Sequence, residues 1–398
     1  MEKKNLSTRI ELYIIFLTIL GQIAIDLYLP SMHGMMKSLG MSQVMVQWTV
    51  SAYLFGYGFS QLLYGPVSDV IGRRKIIIFG MFLSLCGSIG CTVAWFPGMI
   101  LIFRILQGLG SGAASVIARA IMRDSFTGNR LSKASSHMAM AWSLVPILAP
   151  VLGGVIERQG GWRCNFGFLM LFSLIFLLFI LFTFPETHEV TNQKLDLKKA
   201  CTDYGSLFAN YKFSLNMIVL IVLFSIFSIF NVSSPFILQE VYNLSVTEYS
   251  IVLCIISFGY LLGSFFNGKL LGKFKSYNLT LIGIVLVSAL SIIMVLLLKS
   301  DVDIFIAEII IAMMIIFIGL GLIFSNSLSE CLQPFPDKAG TASAMYGFLV
   351  FVGGSIISAL YSKYLDVSAL SLFVALMIIG IIMLVSYLIL YKMRNTRD

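Results

Sequence analysis

Thr18, Gln22 and Asp26 recur at every fourth position of a run, Leu12 to Met32, in which Asp26 is the only charge. That spacing places three polar groups on one face of a helix, and a run of this length is sufficient to cross a bilayer. An Asp held inside lipid costs roughly 2.5–3.5 kcal/mol on insertion scales, so such residues face a cavity or a partner and mark function. Arg104 is the opposite charge, within the apolar stretch 98–122. At ~1.5 Å of rise per residue, Asp26 lies about 6 Å in from Pro30 and Arg104 about 9 Å in from Gly98, at similar depth. Desolvation favours a neutral carboxyl and a nearby guanidinium favours the carboxylate. A movement that changes their separation therefore binds or releases a proton, which makes Asp26 and Arg104 candidates for proton coupling. The alternatives are an Asp26 that caps a helix end near Pro30 and an Arg104 that snorkels to the headgroups. Glu308, early in a later span, reads as an interfacial residue.

The elements that must position these charges are membrane helices. Of 398 residues, 58% are hydrophobic and 12% charged, against about a quarter charged in soluble domains. Twelve stretches are long and apolar enough to span: 10–30, 44–64, 76–96, 98–122, 134–156, 164–184, 213–235, 247–267, 277–298, 304–328, 341–361 and 369–391. The first is read as a span, not a cleavable leader, because it lacks a small-residue cleavage pattern. Most of the 27 Lys and Arg fall in loops on the side of both termini, which predicts cytoplasmic termini. The net charge of +8 is then a topology signal, and nucleic acid is not an expected partner. Neither the scattered cysteines nor His33, His137 and His188 have metal-ligand spacing, so no metal is expected.

The charged stretch 185–212 (Glu186, Glu189, Lys194, Asp196, Lys198, Lys199, Asp203) reads as a cytoplasmic linker between two six-helix bundles, 1–184 and 213–398. A faint repeat supports two halves: GPVSDVIGRRK, Gly65 to Lys75, and GKLLGKFK, Gly268 to Lys275, each begin with Gly and end basic. Two such bundles suit alternating access around a midplane site. Gly108 with Gly112, and Gly259 with Gly263, predict close helix approach. Pro146, Pro150, Gly153 and Gly154 predict a bent, smooth helix suited to a moving barrier. In the first loop, Gly65, Asp69, Gly72, Arg73 and Arg74 are candidates for locking one conformation. Gly263 to Lys269 satisfies most of a phosphate-binding loop, but Leu270 stands where a Ser or Thr would hold magnesium and no strand precedes it. No ATP binding is expected.

Taken together, these segments resemble the major facilitator superfamily, and within it the Bcr/CflA-type drug/proton antiporters. Gly65 to Lys75 is similar to its signature loop, with Val70 where an Arg commonly stands. AIDLYLPSM, Ala24 to Met32, resembles the first-span motif; Arg104 to Asp124 resembles the fourth-span segment; Val145 to Gly154 followed by Gly161 to Arg163 resembles the fifth-span antiporter motif. SPFILQEVYNLS, Ser234 to Ser245, and AGTASAMYGF, Ala339 to Phe348, also fit. The resemblance implies an all-α membrane protein of twelve transmembrane helices in two pseudo-symmetric six-helix bundles. It implies proton-coupled efflux of small drugs and xenobiotics across a bacterial inner membrane, with Arg104 as the fourth-span basic residue linked to proton coupling and Asp26 as the first-span acidic marker. The expected cavity is lined by Gln22, Asp26, Gln47, Tyr57, Asn231 and Tyr346. The chain is expected to be no enzyme, to use no cofactor beyond the proton gradient, and to work as a monomer. A transporter of one metabolite or siderophore, or a non-transporting receptor, are the alternatives.

Overall fold

The structure, a computed structural model, describes residues 2–187, 197–300 and 304–395. His188, Glu189, Lys194, Asp196 and Asp303 lie outside them. The described residues form helices and no strand, and the chain divides into two compact units, Met1–Leu197 and Lys198–Asp398.

In the first unit α1 (Glu2–Asp26) gives way to a 3-10 turn (Leu29–Ser31), where Pro30 supplies no backbone donor, and then to the short α2 (Met32–Leu39). There follow α3 (Gln43–Ile71), α4 (Arg73–Thr92), α5 (Pro97–Ser125), α6 (Gly128–Gly160) and α7 (Trp162–Thr183). The second unit holds α8 (Leu197–Leu207), α9 (Tyr211–Phe236), a π turn (Ile237–Val241), α10 (Val246–Leu270), α11 (Ser276–Lys299), α12 (Ile306–Leu332), α13 (Ala339–Tyr364) and α14 (Ala369–Asn395). The segment expected as linker thus contains a helix, α8, on the amphipathic spacing of Leu197, Ala200, Tyr204 and Leu207. Among the described residues eleven helical stretches are long and apolar enough to cross a membrane. α3 is 29 residues long but is not among them, because Gln47, Thr49, Ser51, Ser60 and Gln61 dilute its apolar character. The pair Pro146 and Pro150 leaves α6 continuous from Gly128 to Gly160.

One packing frame recurs in both units. α5 is pressed between α3 and α4, and α12 between α10 and α11, at glycines that leave no room for a Cβ. Gly56 lies on the Ile105 carbonyl and Gly259 on that of Met314; Gly80 and Gly110 meet across α4 and α5, as Gly283 and Gly319 do across α11 and α12. Gly112 abuts the Tyr57 carbonyl and Gly321 that of Tyr260. α3 and α10 also open alike, with Ser42 and Ser245 accepting a backbone N–H one turn on. Without a hydrophobic drive between helices in lipid, such close backbone contact is what holds them. The pairs predicted from sequence, Gly108 with Gly112 and Gly259 with Gly263, all lie at these contacts.

Candidate functional site

Arg104 is wholly enclosed in the first unit, with no exposed surface. Its head is held from three helices. Nε donates to the Thr49 carbonyl of α3 at 3.1 Å, and Nη1 to the Ala24 carbonyl of α1 at 3.0 Å and to Gln107 Oε1 at 2.6 Å. The guanidinium lies 4.3 Å from the centre of the Tyr28 ring and 4.4 Å from that of Tyr53, an attraction that reaches about 2 kcal/mol when desolvated. The Ala24 carbonyl belongs to the last turn of α1, where helix carbonyls lack partners and a cation is favoured. Arg104 is therefore a cap on α1, not a residue reaching for headgroups. Nη2 is buried without a hydrogen-bond partner.

Asp26 is the last residue of α1 and is buried, two residues beyond the carbonyl that Arg104 holds. Tyr53 lies within electrostatic reach of both charges, and its hydroxyl donates to the Gly21 carbonyl at 3.1 Å. Gln22 is buried one turn before Asp26, with Oε1 unpartnered, whereas Thr18 spends its hydroxyl on the Ile14 carbonyl at 2.7 Å. Gln47 and Tyr57 are buried in the same unit, and Tyr57 stacks on Tyr53 at 6.0 Å. Asn231 and Tyr346 belong to the second unit, where both are partly buried.

Three partners of this site went unassigned in the sequence. Gln107 lies three residues after Arg104, on its face of α5, and passes the polar chain on: Nε2 donates to Ser88 Oγ at 2.8 Å, which donates to the Ser84 carbonyl. Tyr53 stands one turn before Tyr57. Arg119 is a second cation on α5, donating to Ser115 Oγ at 3.0 Å and to Gln61 Oε1. Glu308 caps α12, its carboxylate accepting the Phe305 N–H at 2.9 Å.

The loop residues form a second cluster. Gly72 adopts φ 104°, where L side chains are strained, so that α3 can turn directly into α4. Arg73 is buried beneath this turn. It pairs with Asp69 at 2.5 Å, with Asp124 at the end of α5 at 3.0 Å, and with the Ser68 hydroxyl. Ser68 donates in turn to the Gly65 carbonyl. Glu186 closes the cluster: its oxygens accept the N–H groups of Arg73 at 2.9 Å and Arg74 at 3.1 Å, an anion on the positive end of α4. Arg74 donates to the Leu181 carbonyl at 2.7 Å. On sequence alone Asp124 has no role and Glu186 stands in a linker; its distance from Arg73 along the chain hid the contact. Pro150, Gly153 and Gly154 are buried on α6, and Pro146 partly so; Gly153 lies on the Leu27 carbonyl, immediately after Asp26.

Helices packed on small residues in two repeated units, the first of which buries a charge of each sign, define a multi-pass membrane transporter. The profile of the Major Facilitator Superfamily matches residues 14–359, and the chain belongs to that family. It is 27% identical to multidrug resistance protein D of Escherichia coli (strain K12) over 390 residues, 97% of this chain and 96% of that one. It is 26% identical to a bicyclomycin resistance protein homolog of Haemophilus influenzae, over 90% of each. The crystal structure of a D-xylose-proton symporter shares the fold, with a TM-score of 0.74 at 16% identity, covering 96% of this chain and 97% of that one.

Proposed function

We propose that the protein exports small, chemically varied drugs and xenobiotics in exchange for protons, by alternating access across a bacterial inner membrane. α3 is the twelfth span, both termini are cytoplasmic, and the monomer is the working unit. The protein is no enzyme and needs no cofactor, nucleic acid or ATP; the proton gradient drives it.

The observation that carries this reading is the enclosed Arg104 bound to the last turn of α1, two residues from a buried Asp26. Asp26 takes up and gives back the proton. Arg104 senses the change because it is fixed to the same helix end, and a charge change in so dry a setting is felt strongly. Gln22, Gln47 and Tyr57 in the first unit, and Asn231 and Tyr346 in the second, offer the cargo hydrogen bonds and a ring face. Asp69, Arg73, Asp124 and Glu186 latch the cytoplasmic end in one state. Resistance functions named for the relatives of similar length favour drugs over a single metabolite as cargo.

The test is drug-driven proton release from inverted vesicles, with a panel of cationic and neutral drugs. The parent should release protons with several of them, and Asp26→Asn and Arg104→Ala should not. Parent-like release by Asp26→Asn with a neutral drug would refute the coupling role. No response of the parent to any drug would favour the metabolite reading.

A further inference from the structure

Glu157 is a second carboxylate inside the first unit, which the sequence places just past the fifth span and the structure places within it, on the membrane-crossing stretch Lys133–Gly160. α6 runs alongside the chain that follows Asp26. Gly153 lies on the Leu27 carbonyl; one turn further, ~5.4 Å along the axis, Glu157 Oε1 fills the space beside Gly34, where a Cβ would come within 2.8 Å of it. Between these contacts sits Ser31. Its Oγ accepts from Asn165 Nδ2 at 2.5 Å, which leaves its own proton for the Glu157 carboxyl.

This cluster is short of donors. Glu157 Oε2 and Asn165 Oδ1 are both buried acceptors without a hydrogen-bond partner, and both residues meet the Ser31 hydroxyl through their other atoms. Buried unsatisfied acceptors are costly, and an ionised carboxylate supplies no donor. A single proton on Glu157 supplies one. The charged or titratable groups on the packed elements include His33 and Lys37 on α2, Asp26 on α1, Arg158 on α6, and Arg163 and Cys164 on α7, with Glu11 on α1 and Lys133 and His137 on α6 further along their helices. Arg163 is engaged elsewhere, donating to the Ala94 carbonyl at 2.9 Å and lying 4.2 Å from the Trp162 ring.

We infer that Glu157 is a second proton-binding site, lying outward of Asp26 and loading it. The direction rests on the proposed orientation, in which α1 and α6 both end on the outer side. A proton from the outer water forms an O–H bond on the Glu157 carboxylate. That bond then breaks as the proton passes through intervening water to the Asp26 carboxylate, which becomes the acid, and Glu157 is again an anion ready for the next proton.

The test is a pH titration of the full-length protein in lipid vesicles, followed by infrared difference spectroscopy, with the proton as the only ligand. Glu157→Gln should remove one carboxylic acid C=O band, and Asp26→Asn should alter the pH profile of that same band. A Glu157→Gln spectrum that superimposes on the parent overturns the site. A band whose profile ignores Asp26→Asn overturns the loading role. Should Glu157→Gln fail to fold, Glu157→Asp must move the band, and an unmoved band is equally fatal. No cargo is present, so a Glu157 band in a protein that releases no protons with drugs refutes the export reading and leaves the proton site standing.

Discussion

The two units share one packing frame and fill it with opposite chemistry. Counted from Gly110 and Gly319, the position of Arg104 in α5 is that of Met313 in α12, and Gln107 corresponds to Ile316. Counted from Gly56 and Gly259, Thr49 corresponds to Val252 and Tyr53 to Ile256. Asp26 and Asn231 each stand four residues before a proline, Pro30 and Pro235, and on that register Gln22 corresponds to Phe227. Where the first unit buries a guanidinium among carbonyls and an amide, the second buries an aromatic cluster. Phe227 lies 4.9 Å from Phe317 and 5.5 Å from Tyr260, and Phe230 lies 5.4 Å from Phe317. Close backbone packing is therefore separable from the chemistry it surrounds. We read the division as one unit specialised for charge and one for apolar cargo surface.

The most severe way to break this asymmetry is to write the first unit's charge into the second. Met313→Arg puts a guanidinium where Ile316 stands for Gln107 and the neutral Asn231 for Asp26, and an uncompensated buried charge costs about 3–5 kcal/mol. Reversible unfolding in mixed micelles should show that loss; a stability within about 1 kcal/mol of the parent would mean the second unit can also solvate a charge. The reverse exchange, Arg104→Met, leaves the Ala24 and Thr49 carbonyls and Gln107 Oε1 without their donor and should also lower stability, though the apolar chain adds no unpaired charge of its own. Proton-driven export should nonetheless fall by about a hundredfold or more, the scale of a lost proton-transfer group, as read from dye efflux rates. Next in size is the shared frame. Gly56→Ala and Gly259→Ala each drive a methyl into a backbone carbonyl that cannot move aside, at about 1–3 kcal/mol apiece. The two costs should match within about 0.5 kcal/mol; a large difference would show that the frames are alike in sequence but not in tightness.

How much of this was legible beforehand follows from the range of each interaction. Most of the spans, the close-approach glycines and the burial of Asp26 and Arg104 came from local patterns of period, composition and insertion cost, which one helix displays by itself. Thr18 shows the limit of that reasoning: it shares the polar stripe with Gln22 and Asp26, yet its hydroxyl returns to its own helix backbone. Glu186 and Asp124 were out of reach for the opposite reason, since they meet Arg73 only after distant segments fold together. α3 lies between these cases, because the polar groups that suit it to line a site weaken the hydropathy that marks a span.

The smallest effect sharpens the comparison from the other side. At the far end of the same frame the chemistry inverts: Asn267 and Asn326 form a buried amide pair, with Asn326 Nδ2 donating to Asn267 Oδ1 at 2.8 Å and the return bond at 3.3 Å. The matching positions of the first unit, counted from the same glycines, are Tyr64 and Ile117, both buried. Asn326 Nδ2 also donates to the Leu322 carbonyl at 2.9 Å, so removing Asn267 leaves it one partner. A double-mutant cycle of Asn267→Leu and Asn326→Leu should then give a coupling of about 0.6 kcal/mol, the average for interhelical hydrogen bonds in membranes. A coupling near zero would mean that the pair merely fills space. A value above about 2 kcal/mol, beyond what such bonds reach in lipid, would mean that the second unit depends on this amide pair as the first depends on Arg104, and the division of labour between the units would have to be redrawn.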